Sequence, residues 1–187
     1  MKNIIVRLRE LALTTPTSID EELEVAERQA SLLLAMSGVT EPPVHEQIIE
    51  RLPRLVVHEV PFLPHSAEIR FVNGVWLMVL NGSEPLVWRR WTLMHEFKHI
   101  LDAPEAEAGT HRSAISSTTR GAERAAETFA ACVLMPRVWV QRIWDEGVRE
   151  IAVLARIFGV SFDAMRQRLE RLDLIPRRKR HPQEILV

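Results

Sequence analysis

Tyrosine is absent from the chain, so no phenol hydroxyl can donate to a developing oxyanion, and that role would fall to histidine, arginine or backbone amides. There is one cysteine, Cys132, which excludes an intramolecular disulfide and fits a reducing compartment, the cytoplasm. It sits in the apolar stretch FAACVLMP and reads as a core residue rather than a nucleophile. The longest wholly apolar runs are FAACVLM, seven residues, and VWLMVL, six, far too short to span a bilayer. Arg7, Arg9 and Glu10 interrupt the apolar start of the chain, so it does not read as a signal peptide. Net charge is also scarce: 24 basic against 25 acidic side chains leave −1. A chain this neutral is not, as a whole, built to bind phosphate backbones.

What charge there is lies unevenly. Residues 17–50 carry eight acidic side chains and one basic one, whereas residues 147–187 carry nine basic and five acidic. Much of the excess is the run Arg177, Arg178, Lys179, Arg180. Such a run is either a solvated tail or a contact for an acidic partner. With 187 residues, 47% of them hydrophobic, the chain can bury one sizeable core.

Local signals predict an α+β fold. Residues 2–13 suit an amphipathic helix. Ser18-Ile19-Asp20-Glu21 is a capping box that opens a helix to about Met36, where Gly38 stops it. Pro42-Pro43 precede a short helix ending near Leu52. LVVHEV (55–60) reads as a strand, and EIRFV and VWLMVL flank Asn73-Gly74, a strong hairpin signal. Helices follow at 86–101 and 119–135, separated by a loop, and shorter helices run to about Leu174. The expectation is a small antiparallel sheet on helices, with an N-terminal arm (1–17), a main domain (18–146), a C-terminal helical subdomain (147–175) and a basic tail (176–187).

The chemistry lies in HEFKH. His95 and His99 are one helical turn apart on one face, so both imidazoles can reach one ion. Glu96 is turned about 100° away, where its carboxylate can handle a proton without ligating. This is the HExxH pattern of zinc hydrolases. A catalytic zinc needs a third protein ligand. On the next helix Glu123 and Glu127 border the buried stripe of Ala126, Ala130 and Leu134, where an unpartnered carboxylate is costly. Either could be that ligand.

HEFKHILDAP followed by ERAAETFAACVLMP resembles the ImmA/IrrE family of zinc-dependent endopeptidases. Arg90 or Arg89, then His95, Glu96 and His99, match the first part of its pattern. Glu123, Ala126, Phe129, Ala130, Leu134, Met135 and Pro136 match the second. The resemblance runs over about residues 20–175. It departs from the family at Glu127, where Asn is usual, and at Phe97 and Lys98. It implies one zinc ion held by His95, His99 and Glu123, with Glu96 as the catalytic base. Glu127 is then the carboxylate behind a ligand imidazole or, failing Glu123, the ligand itself. It also implies a protein substrate, a cognate helix-turn-helix repressor. With tyrosine absent, His65 and His111 are the loop residues that could donate to an oxyanion, and Asp102 could support His99. An exposed edge of VWLMVL could take an extended substrate as an added strand.

A second reading competes. LARIFGVSFDAMRQRLERL resembles a helix-turn-helix, with Ser161 as an N-cap and Arg166, Arg168 and Arg171 on the second helix. The protein would then be a DNA-binding or antirepressor-type regulator with a zinc site, acting by binding rather than by cleavage. Ala155, Phe158, Val160, Met165, Leu169 and Leu172 account for the same segment as ordinary helix packing.

Overall fold

The computed structural model describes residues 4–12, 18–103 and 119–177. The first helix, α1 (Ile4–Arg9), buries Ile5 and Leu8. Its end is tied down from both sides: Gln29 Nε2 donates to the Leu8 carbonyl at 3.0 Å, and Arg9 Nη2 donates to the Ile100 carbonyl at 2.8 Å. Ser18 then accepts from the Glu21 amide and starts α2 (Ile19–Ser37), which Gly38 ends in the left-handed conformation. The short helix expected after Pro42-Pro43 is only α3 (Gln47–Glu50).

The sheet contains β1 (Leu55–Val60), β2 (Ala67–Val72) and β3 (Val75–Asn81) in the order β1-β3-β2. Asn73 and Gly74, both at positive φ, join β2 to β3 as an antiparallel hairpin. β1 pairs with β3 in parallel, so the sheet is mixed rather than wholly antiparallel. The expected edge role of VWLMVL is also corrected, because β3 is the central strand. Its composition fits a central strand: Trp76, Met78 and Leu80 are buried, and Val75, Leu77 and Val79 between them are half-buried. The connection from β1 to β2 strides past the end of β3 and is pinned there. Gly82 N donates to Val60 O, Phe62 N to Ser83 Oγ, and Asn81 Nδ2 to Leu63 O.

Five helices complete the fold: α4 (Leu86–Asp102), α5 (Arg120–Leu134), α6 (Arg137–Asp145), α7 (Ile151–Phe158) and α8 (Phe162–Arg171). Ala126 and Ala130 are fully buried on α5, and such small side chains let neighbouring helices approach closely. Leu154, Phe158, Met165 and Leu169 of α7 and α8 belong to the same core as α2, α4 and α5. No helix among the described residues is long and apolar enough to cross a membrane.

Gly159, at φ 62, caps α7, and a β-carbon there would fall on the Arg90 guanidinium. That guanidinium is buried. Its Nη1 donates to the Gly159 carbonyl at 2.6 Å, its Nη2 donates to the Val44 carbonyl, and its Nε lies 3.6 Å from Glu46. Gly38 has the same conformation with nothing near its missing side chain. Gly38→Ala should therefore cost about 1–2 kcal/mol from the left-handed backbone alone, and Gly159→Ala more, about 2–4, since only it also displaces a buried ion. Chemical denaturation of the two variants checks the order.

Candidate metal centre

The centre is where α4 crosses α5. Phe97, between the two histidines, packs on Phe129 with ring centroids 6.1 Å apart, which fixes the register of the crossing. Thr119 caps α5 by accepting from the Ala122 amide at 3.2 Å, and Glu123 lies in the first turn, where the helix dipole favours a carboxylate.

Three side chains converge there. His95 Nε2 and His99 Nε2 are 3.1 Å apart. Glu123 Oε2 is 3.3 Å from the first and Glu123 Oε1 3.4 Å from the second. All three ligand atoms lie within 4.8 Å of one another, the one such group among the described residues. Burial, and next the neighbouring His99, lower the pKa of His95, with Glu123 and Glu127 opposing. The neutral imidazole that a metal requires is thereby favoured.

Glu96 stands beside this group and is only 9% exposed. Burial, and secondarily the Glu123 carboxylate, push its carboxyl up to about 7. Its Oε2 is buried with no hydrogen-bond partner, an orphan that a native interior rarely leaves without a purpose. Two imidazoles and a carboxylate are an ordinary donor set for zinc, so these residues fit the ion.

The other expected site residues go elsewhere. Glu127 is half exposed and pairs with Arg171 at 3.7 Å, outside the cluster although close enough to act on His95. Asp102 binds Lys98 Nζ at 2.5 Å. His65 is exposed on the turn between β1 and β2. His111 lies outside the described residues, as do Arg178, Lys179 and Arg180 of the basic run. Arg89 binds Glu59 and the carbonyls of Gly82 and Glu84, bracing the start of α4 against the sheet.

The basic face expected on α8 is engaged within the molecule. Arg168 is buried, with Nε donating to the Met135 carbonyl at 2.9 Å. Arg166 pairs with Glu170, and Arg171 with Glu127. Cys132 is buried in the core, and burial raises its thiol pKa. Lys98 and Arg90 are buried polar side chains to which sequence reasoning assigned no structural role. Lys98 is 2% exposed and reaches Asp102 one turn on, a pairing that the i, i+4 spacing could have suggested.

No curated protein matches the chain significantly. Among solved structures, a Mycobacterium tuberculosis transcriptional regulator is similar, with a TM-score of 0.54 at 16% identity. The alignment covers 90% of this chain and 52% of that one, so the chain spans about half the regulator's length. At that identity the likeness is one of fold. The model of the IrrE N-terminal-like domain matches residues 54–170, which is more than half the chain and runs from β1 to α8. With the metallopeptidase-type fold in place around HExxH, the chain belongs to the IrrE N-terminal-like, or ImmA/IrrE, family.

Proposed function

We propose that the protein is a zinc-dependent endopeptidase that cuts a protein partner, and that the partner is a cognate helix-turn-helix repressor. The observation that carries the reading is the convergence of His95, His99 and Glu123 beside a buried Glu96 with one oxygen unpartnered. His95, His99 and Glu123 would hold the ion. A zinc ion bound there would supply Lewis acidity, to lower the pKa of a bound water and to polarise the scissile carbonyl. Glu96 takes the proton of the attacking water and returns it to the departing amine nitrogen. The Glu96 carboxylate is buried beside the cluster with one oxygen unpartnered, free to take and return a proton.

The substrate backbone needs an edge, and β2 supplies one. Asn81 N donates to Ser66 O, so by alternation Glu68, Arg70 and Val72 bond to β3, while the backbone groups of Ala67, Ile69 and Phe71 point outward. α4 packs against both β2 and β3, which puts this edge on the strand beside the metal helix. An extended segment could add there by ladder hydrogen bonds.

The test uses zinc-loaded protein and candidate helix-turn-helix repressors, followed on a gel. A discrete cut, abolished by a chelator and restored by zinc, is the expected result. Relief of repression without any cut would favour the reading in which the protein acts by binding.

A further inference from the structure

The sheet has a second edge, on β1. Trp76 N donates to Arg54 O at 2.8 Å and Gly82 N to Val60 O at 2.9 Å, so the even-numbered residues of β1 face β3. The backbone N–H and C=O groups of Leu55, Val57 and Glu59 therefore point away from the sheet, and among the described residues nothing bonds to them. Natural edge strands are usually blunted by lysine, proline, a bulge or inward charge. LVVHEV holds no lysine, proline or bulge, and its register with β3 is unbroken over six pairs; its one inward-side charge is Glu59 at the end of the strand, which is paired with Arg89. β2 differs, because its solvent face carries the Glu68–Arg70 ion pair at 2.7 Å.

The outer face next to this edge is apolar as well. Val56 and Val60 are each 41% exposed. They continue across the sheet into half-buried Leu77, Val79 and Val75 and exposed Val72. α3 packs against β1, but no described residue hydrogen-bonds to the outward backbone groups of the edge.

The pattern of β1 is complementary to itself. Two antiparallel copies must set outward-pointing residues opposite each other, because only these can exchange hydrogen bonds. One such register centres on Val57 and puts Val56 opposite His58 and Val60 opposite Arg54. Another pairs Val57 with Glu59 and centres on His58. It sets Val56 opposite Val60 twice, at the non-hydrogen-bonded positions where side chains lie closest. The register centred on His58 matches both exposed valines of each copy, whereas one centred on Val56 would match Val56 alone to itself. An isologous contact of this kind closes after two copies.

We propose that the β1 edge is a dimer interface, joining two copies of this chain into a continuous six-stranded sheet with Val56 opposite Val60 and His58 on the two-fold axis. The contact involves neither the metal cluster nor the β2 edge.

Sedimentation of the full chain over a concentration series tests this. Wild type should approach twice its 21.5 kDa mass. Val56→Lys with Val60→Lys places like charges opposite each other at both pairs and should be monomeric throughout. Val56→Lys with Val60→Glu places opposite charges at the same two pairs and should restore the dimer, more weakly at high salt. Both positions are exposed, and circular dichroism verifies folding. Independently of any variant, the amides of Val57 and Glu59 in wild type should exchange with deuterium more slowly as concentration rises. A monomeric wild type would leave the edge to another occupant and overturn the proposal. A dimer that survives the double lysine variant would overturn it too, as would a charge-swapped variant that stays monomeric. Concentration-independent exchange at Val57 and Glu59 would do the same.

Discussion

Glu96→Gln should abolish cleavage while leaving the metal in place. The substitution keeps the side chain's size and one oxygen but removes the base, and such groups contribute about 10² to 10⁴ in rate. His95, His99 and Glu123 are untouched, so zinc content should stay at one per chain, and the variant should still capture the repressor. In the metal-free protein the same change has a second signature. The Glu96 carboxyl lies at about 7 in the fold against an ordinary 4.5. The folded state therefore holds this proton more tightly than the unfolded chain. The carboxyl weakens the fold progressively as pH rises from about 4.5 through 7, by up to about 3 kcal/mol when fully ionised. Glutamine cannot ionise, so metal-free Glu96→Gln should be more stable than wild type at pH 8 and equal to it near pH 4. Thermal melts in chelator at the two pH values measure this. Wild-type cleavage rates in the zinc-loaded variant would sink the proposed proton transfer. Equal stability at both pH values would mean that the desolvated carboxyl is not the cause of the shift.

The same residues explain why so much of this protein was legible in its sequence. Caps and turns are local chemistry, and Ser18, Gly38, Asn73-Gly74, Thr119 and Ser161 each act where the chain places them. The metal face of α4 follows from the i, i+4 spacing alone. Strand order does not. Asn73-Gly74 dictates the β2–β3 hairpin, but nothing local tells β1 to join the far side of β3. That choice depends on residues 61–66 reaching past the end of the central strand. The arginines of α8 mark a similar limit. Composition gives their charge but not their partners, and Arg168 sits with Met165, Leu169 and Leu172 on one stripe, facing a carbonyl in the core. Arg90 is harder still, because its bonds to Val44 and Gly159 span 46 and 69 positions.

The third ligand gives the second large effect. Glu123→Ala should lower zinc affinity far more than Glu127→Ala. Glu123 approaches both histidine nitrogens to within 3.4 Å, and without it two imidazoles are left for an ion that wants three protein donors. Glu127 faces Arg171 and acts on His95 only through its charge. Loss of such an outer carboxylate typically costs about 10- to 100-fold in affinity, whereas His99→Ala, like Glu123→Ala, should leave no zinc after dialysis. Zinc competition against a chromophoric chelator ranks all three. If Glu127→Ala proved the more damaging, the ligand would have to be reassigned, and the α4–α5 crossing would have to rotate when metal binds. That rotation has a separate mark. Glu127 would release Arg171, so Arg171→Ala would then change zinc affinity, whereas with Glu123 as ligand it should shift affinity only weakly.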